Sequence, residues 1–375
     1  MSVSASSLPD ASGQTIAAVR SAVTASPDYP FVHHEAPVKL DQNEAPEDFP
    51  PELKEEVFAL LREEPWHRYP DMHAERLRTM LAAFEGWPAE GIVVTPGSNV
   101  LIHALADAAG IGQTVVTVAP AFSLYGLAGL LLAGQLREVP LQPDFTLPVE
   151  GLKAALAVGS GVLYLAEPHA PTGALHSNDD LRNVLDAADD RWLVVLDEAY
   201  AQFSGSDLSE FYGRANVARL KTFSKAWGLG GARLGYLLAS PVLAASVRKL
   251  VPPFNVSIFT LAAGQVALRH VPLMAERVRL IISERQRVFG ALGKLPSWKV
   301  YPSAANFHLI RTPDAARAWR LLLDRGVLVR RQDSLPGLAG CIRVTIGARA
   351  DNNAFLAAAA ETAEAQAQTP VLERP

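Results

Sequence analysis

Residues 191–200 read RWLVVLDEAY, five apolar residues in a row closed by Asp197, Glu198, Ala199 and Tyr200. A strand with one wet face alternates apolar and polar residues. An unbroken apolar run of this length reads as a strand covered on both faces. Outward from this stretch the pattern repeats as GIVVT (91–95), QTVVTVA (113–119), SGVLYLA (160–166), ARLKTF (218–223) and LGYLLAS (234–240). Longer helical stretches separate the runs. The alternation predicts an α/β fold: a mostly parallel, doubly wound central sheet with helices on both faces. Ligands of such sheets lie beyond the carboxyl ends of the strands.

The residues after each run are therefore the ones to inspect. Pro96, Gly97, Ser98 and Asn99 follow the first. Pro120, Ala121 and Phe122 follow the second. Glu167, Pro168, His169, Ala170, Pro171, Thr172 and Gly173 follow the third. Asp197 to Tyr200 close the fourth, and Ser224 and Lys225 follow LKTF. Polar and aromatic candidates thus gather at one end of successive strands.

Past residue 270 the texture changes. ANFHLIR, AARAWRLLLDRG, VLVRR, GCIRVTIG and DNNAFLAAAAETAEAQ alternate strand and helix on a smaller scale, after a long helix around MAERVRLIISERQRVFGAL. This predicts a second, smaller α/β C-terminal domain. The expected organisation is an N-terminal arm (1–45) packing on the small domain, a large domain (46–270) and the small domain (271–375). The tail AQAQTPVLERP is expected to fray.

Composition narrows the function. The chain has 375 residues, 49% of them apolar, a net charge of −5 and no long basic run, so no nucleic-acid-binding face is expected. One cysteine, Cys341, excludes an intrachain disulfide and fits a reducing, cytoplasmic setting. The first 26 residues lack the basic start and apolar stretch of a signal peptide. Residues 108–136 carry no charge, but Pro120 interrupts them and polar residues dilute them. They read as a buried strand, a turn and a core-facing helix, not as a membrane span. His67 and His73 lack ligand spacing, and no metal is expected.

The chemistry turns on residues 220–236, LKTFSKAWGLGGARLGY. No phosphate-binding G-x-x-x-x-G-K-[ST] is present. GLGGARLG leads into a strand, so it is no dinucleotide fingerprint, which would open a helix. Lys225 sits among Ser224, Ala226 and Trp227, where burial would lower its pKa and leave the neutral amine that a Schiff-base lysine needs. Asp197 is a turn former or cap unless a cationic partner meets it, which a pyridinium nitrogen would. Tyr200 lies three residues on. A lysine for the imine, an acid for a ring nitrogen, a tyrosine for a ring oxygen, and an arginine with serine and glycine for a phosphate together suit pyridoxal 5'-phosphate.

On these residues the chain resembles the fold-type-I pyridoxal-phosphate aminotransferases, and more closely the histidinol-phosphate aminotransferase family. SKAWGLGGARLGY, LDEAY, LDQNEAP, HRYPD, GVLVR and GLAGCIRVTIG stand in that family's order across about residues 40 to 356. The resemblance implies transamination of L-histidinol phosphate with 2-oxoglutarate by a homodimer, as a step of histidine biosynthesis. It implies Lys225 as the cofactor-bearing base, Asp197 at the ring nitrogen and Tyr200 at the ring oxygen. Ser224, Arg233 and the backbone of Gly97, Ser98 and Asn99 are implied at the phosphate, with Phe122 stacked on the ring. Tyr69 is implied to reach the partner's cofactor. Arg343 is implied at a substrate carboxylate, Arg330 at a substrate phosphate, and Asn43 in ordering the arm. Small-molecule substrates are the expected partners. An aromatic amino-acid aminotransferase or a phosphothreonine decarboxylase of the same build is the alternative, and a non-catalytic cofactor-binding module a more distant one.

The chain also departs from that family. HAPTG stands where Asn-Asn-Pro-Thr-Gly is usual, so Ala170 replaces an amide that donates to the ring oxygen. Tyr200 alone, His169 or a water is left to serve it. GSNV replaces Gly-Ser-Asp-Glu, leaving the phosphate loop more dependent on backbone groups. Tyr29 has a possible substrate-side counterpart to which no role is assigned.

Overall fold

Seven strands, each fed by the apolar runs above or by the segment between two of them, make the sheet on which everything else is mounted. The computed structural model describes residues 18–30 and 32–367. The expectations for the extreme N-terminus and the final tail lie mostly outside them. In chain order the helices are α1 (Ser21–Ala25), α2 (Pro51–Glu63), α3 (Glu75–Glu85), α4 (Ser98–Ala109), α5 (Ser123–Leu131), α6 (Val149–Leu156), α7 (Asn178–Ala187), α8 (Pro241–Arg248), α9 (Ile258–Arg269), α10 (Val271–Leu292), α11 (Ala315–Asp324) and α12 (Arg349–Ala367). The strands are β1 (Val38–Leu40), β2 (Ile92–Thr95), β3 (Thr114–Ala119), β4 (Gln135–Pro140), β5 (Gly161–Ala166), β6 (Trp192–Asp197), β7 (Val217–Thr222), β8 (Gly235–Ala239), β9 (Lys299–Val300), β10 (Phe307–Arg311), β11 (Val327–Arg331) and β12 (Cys341–Thr345).

The large sheet runs β2-β8-β7-β6-β5-β3-β4. It is parallel from β7 to β4, and β8 runs antiparallel to both its neighbours. Its two faces are read off single strands. On β3, Val115 packs with Leu101, Leu105 and Leu124 of α4 and α5, while Val116 and Val118 pack with Leu152, Leu156 and Leu181 of α6 and α7. Burying one such side chain contributes roughly 1.5–3 kcal/mol. Both faces being covered is the physical reason the runs show no alternation. A third cluster covers the β2-β8 end with α2, α3 and α9.

The smaller sheet runs β1-β11-β12-β10-β9. Its core joins Val329, Ile342 and Phe307 to α10, α11 and α12, and it extends to Tyr200 and Ala226 of the large half. The N-terminal arm meets both halves: β1 pairs in parallel with β11, and α1 lies against α5. The uncharged stretch folds as β3, a turn and α5. Among the described residues no single helix is long and apolar enough to cross a membrane.

Candidate active site

Three strand ends carry the chemistry. β6 ends at Asp197 because the apolar run stops there, and the next turn brings Tyr200 back over the sheet edge. β7 ends at Thr222, and Ser224 and Lys225 follow in a tight turn closed by the Gly228 N–H donating to the Lys225 carbonyl. β2 ends at Thr95, and Gly97 and Ser98 lead into α4.

Lys225 Nζ donates to the Gln42 carbonyl at 2.9 Å. It lies 5.9 Å from the centre of the Tyr200 ring. Burial, and next the Arg343 guanidinium, push its amine down to about 8. The sequence argument required a partly neutral amine, and this is one. Asp197 is buried, and burial raises its carboxyl above the ordinary range. Two hydrogen bonds oppose that rise: the Tyr125 hydroxyl donates to Oδ2 at 2.8 Å, and the Ala199 N–H donates to Oδ1 at 3.0 Å. The Tyr200 hydroxyl accepts from Asn43 Nδ2 at 2.9 Å, and its ring meets Phe307 of β10 edge-on at 5.3 Å. The site therefore lies where the two sheets face each other.

Around Gly97 the backbone is set for an anion. Gly97 has φ 84°, a conformation that side chains with a Cβ rarely adopt. A Cβ there would stand 2.4 Å from Arg233 Nη2. The start of α4, with Ser98 and Asn99, points unpaired N–H groups outward, as helix N-termini do toward anions. Arg233 Nη1 reaches Ser224 Oγ at 3.5 Å and donates to the Gly230 carbonyl at 3.0 Å. Gly97, Ser224 and Arg233 are thus gathered in one place. Phe122 caps the start of α5, with Tyr125 edge-on at 5.6 Å and Tyr29 of the arm at 6.4 Å.

Arg343 and Arg330 are register partners on β12 and β11. Arg343 Nη2 donates to the Asp41 carbonyl at 2.9 Å, while its buried Nε has no hydrogen-bond partner. Arg330 Nη2 donates to the Pro30 carbonyl at 2.6 Å. Asn43 is held from three sides: its N–H donates to Thr345 Oγ1 at 2.9 Å, the Thr345 hydroxyl to its Oδ1 at 3.2 Å, and Asn306 Nδ2 to its carbonyl at 3.1 Å. Tyr69 stands apart from these contacts. It is 82% exposed and stacks on Phe254 at 4.9 Å. His169 is spoken for on one side, with Nδ1 2.7 Å from Thr172 Oγ1, and burial lowers it to about 3, so it is neutral.

Sequence reasoning missed Tyr125 and the carbonyls of Asp41 and Gln42. Tyr125, three residues after Phe122 in an apolar helix, carries no signal in the sequence that separates it from a packing residue. The carbonyls carry no signal, since every residue has one.

Fold and site together define an α/β enzyme of the fold-type-I class. Residues 35–359 match the family model for aminotransferase class I and II. A histidinol-phosphate aminotransferase of Deinococcus radiodurans is 49% identical over 343 residues, 91% of this chain and 95% of that protein. One of Thermococcus kodakarensis is 39% identical over 92% of this chain and 98% of that protein. The crystal structure of a histidinol-phosphate aminotransferase from Sinorhizobium meliloti in complex with pyridoxal-5'-phosphate superposes with a TM-score of 0.85 at 26% identity, over 94% of this chain and 99% of that one. The chain belongs to the class I and II aminotransferases and, within them, to the histidinol-phosphate aminotransferase family.

Proposed function

We propose that this protein transfers the amino group of L-histidinol phosphate to 2-oxoglutarate with pyridoxal 5'-phosphate as cofactor, giving imidazole acetol phosphate and glutamate. The observation that carries the reading is the convergence of Lys225 and Asp197 with the paired guanidiniums of Arg330 and Arg343 in one crevice. The residues present fit the cofactor. The Gly97 turn, which a Cβ would fill, the start of α4, Ser224 and Arg233 suit its phosphate. Asp197, buried and hydrogen-bonded, suits a protonated ring nitrogen. Tyr200 suits the ring oxygen and Phe122 a ring face.

When bound, the cofactor supplies an electron sink for the pair left behind when a proton leaves the substrate carbon. The chain supplies the rest. Lys225 Nζ, neutral in a substantial fraction near pH 8, would hold the cofactor and, once released by the incoming amine, serve as the base that takes and returns that proton. Asp197 holds a cationic N–H with the lone pairs that Tyr125 and Ala199 leave free. Tyr200, held by Asn43, donates to an oxyanion. Arg343, with its orphaned Nε, takes a carboxylate, and Arg330 a phosphate, each matching a guanidinium fork. The two substrates are both anionic and use the site in turn.

The same reading takes the protein as a cytoplasmic homodimer in which Tyr69, exposed here, completes the partner's phosphate site. It takes the chain as an arm (1–45), a large domain (46–270) and a small domain (271–375). The experiment is turnover of L-histidinol phosphate and of phenylalanine with 2-oxoglutarate, with Lys225→Ala as control. Turnover of the phosphorylated donor, abolished in the control, supports the reading. Turnover of phenylalanine alone overturns the substrate.

A further inference from the structure

Asp197 has a partner from a different element, and that partner has no freedom to leave. Tyr125 is the third residue of α5 and is 2% exposed. Its ring lies flat on Tyr164, centres 4.9 Å apart and planes 3° apart, and Phe122 stands edge-on to it at 5.6 Å. Tyr164 is fixed in turn by donating its hydroxyl to the Ile102 carbonyl at 2.7 Å. So packed, the Tyr125 phenol is aimed at one acceptor, Asp197 Oδ2, at 2.8 Å. Its own proton is secure, because burial and the neighbouring Asp197 carboxylate raise it well above the ordinary phenol range.

We propose that Tyr125 is a positioning residue for Asp197: its hydroxyl fixes the carboxylate plane and favours the carboxylate over the acid, so that a free oxygen lone pair faces the nitrogen of a bound pyridine ring. This rests on the reading of Asp197 given above. A carboxylate offers about four lone-pair sites. The Ala199 N–H takes one on Oδ1 and Tyr125 takes one on Oδ2, leaving the remainder toward the crevice. Burial favours the neutral acid, which would hold a ring proton poorly. The other groups facing Asp197 offset each other in sign: Glu198 beside it raises its carboxyl, and Lys225 across the crevice lowers it. Tyr125 and the Ala199 N–H are then the hydrogen bonds that oppose burial, and Tyr125 is the one of the two that acts through a side chain.

The test begins with the full chain freed of cofactor, carrying carboxyl-labelled aspartate and followed by carbon NMR against pH, the Asp197 resonance assigned by its loss in Asp197→Asn. Tyr125→Phe raises the Asp197 midpoint by about one to two pH units, the worth of one hydrogen bond to a charged group. Tyr164→Phe, which keeps the stack and removes a hydroxyl bonded elsewhere, leaves the midpoint in place. An unmoved midpoint in Tyr125→Phe overturns the proposal. Should Tyr125→Phe fail to fold, 3-fluorotyrosine at position 125 keeps the hydroxyl: its fluorine resonance follows the Asp197 titration and loses that step in Asp197→Asn. A resonance blind to Asp197 overturns the proposal equally. Pyridoxal-phosphate dissociation is measured alongside and weakens about tenfold in Tyr125→Phe. An unchanged constant overturns the link to the cofactor. If Asp197→Asn binds and turns over as the parent does, it is the role of Asp197 that fails, while the NMR result on Tyr125 stands by itself.

Discussion

Arg330 and Arg343 stand directly opposite each other in the register of β11 and β12. Like charges facing across a strand pair destabilise it, and the nearness of Arg330 helps burial hold the Arg343 guanidinium below its ordinary range. Two carbonyls of the N-terminal arm, those of Pro30 and Asp41, each accept from one of the two. Carbonyl dipoles offset part of the repulsion, and an anion would offset more.

The pair therefore discriminates by ligand. Arg343→Gln lowers kcat/KM for 2-oxoglutarate by about tenfold to a hundredfold, the loss of a charge-assisted hydrogen-bond pair. Arg330→Gln lowers it for the phosphorylated amine and leaves an unphosphorylated amine nearly unchanged. Steady-state kinetics with each donor and acceptor varied in turn measures both. Equal losses for phosphorylated and unphosphorylated donors in Arg330→Gln would refute the division of labour.

Lys225 titrates where it can be watched. With a midpoint of about 8, its amine gains reactivity toward an acylating reagent as pH rises through that value, then levels off. The Arg343 cation is the second cause of the low value, after burial. Arg343→Gln therefore shifts the reactivity profile toward higher pH. Rates of Lys225 modification in the cofactor-free protein from pH 6 to 11, read by mass spectrometry of the peptide, give both midpoints.

Asn43 links the arm to Tyr200. It donates to the Tyr200 hydroxyl while Thr345 and Asn306 hold its own backbone and amide. Burial raises the Tyr200 phenol and the Asn43 bond opposes that rise. Asn43→Ala removes the donor, so the phenol moves further up, and folding stability falls by about 1–3 kcal/mol for the buried groups left unpaired. Ala170 offers no amide in compensation. In Asn43→Ala, adding Ala170→Asn restores part of the cofactor affinity. Denaturant melts and cofactor titration of the single and double variants check the two effects separately.

How much of this was readable beforehand follows from what each feature is made of. β2, β3, β5, β6 and β8 announce themselves because two-sided burial demands nearly unbroken apolar runs, whereas β7 alternates, its Arg219 and Lys221 being paired with Glu198 and Glu85. β4 does not, because it is an edge strand whose Arg137 and Glu138 stay in contact with solvent, so QLREVP holds no apolar run. Lys225, Asp197 and Tyr200 were legible as candidates because such residue types are costly to bury after an apolar strand unless used, whereas Arg233, exposed in the loop before β8, was legible only through the family resemblance. Tyr125 was not, because an aromatic in a helix as apolar as α5 reads as packing until its hydroxyl is seen against Asp197. Tyr69 is exposed and stacks on Phe254, and no contact among the described residues marks it as part of the site.

Beneath Asp197 lies a buried ion network that the sequence also concealed. Glu198 accepts from Arg219 Nε at 2.5 Å and from Nη2 at 2.9 Å, with 2% and 4% of the two side chains exposed. Lys221 donates to Glu85 at 2.8 Å, and the Tyr236 hydroxyl donates to the same carboxylate at 2.5 Å. Glu198→Ala leaves the Arg219 charge buried without its close partner, which costs about 3–5 kcal/mol. The same substitution removes an anion beside Asp197, so the Asp197 carboxyl falls, whereas Tyr125→Phe makes it rise. The two variants therefore part in sign on one observable. Guanidinium unfolding gives the stability loss, and carboxyl-labelled NMR gives the midpoint. If Glu198→Ala raises the Asp197 midpoint as Tyr125→Phe does, the charge of Glu198 is not what acts on Asp197, and a general loosening of the strand end is.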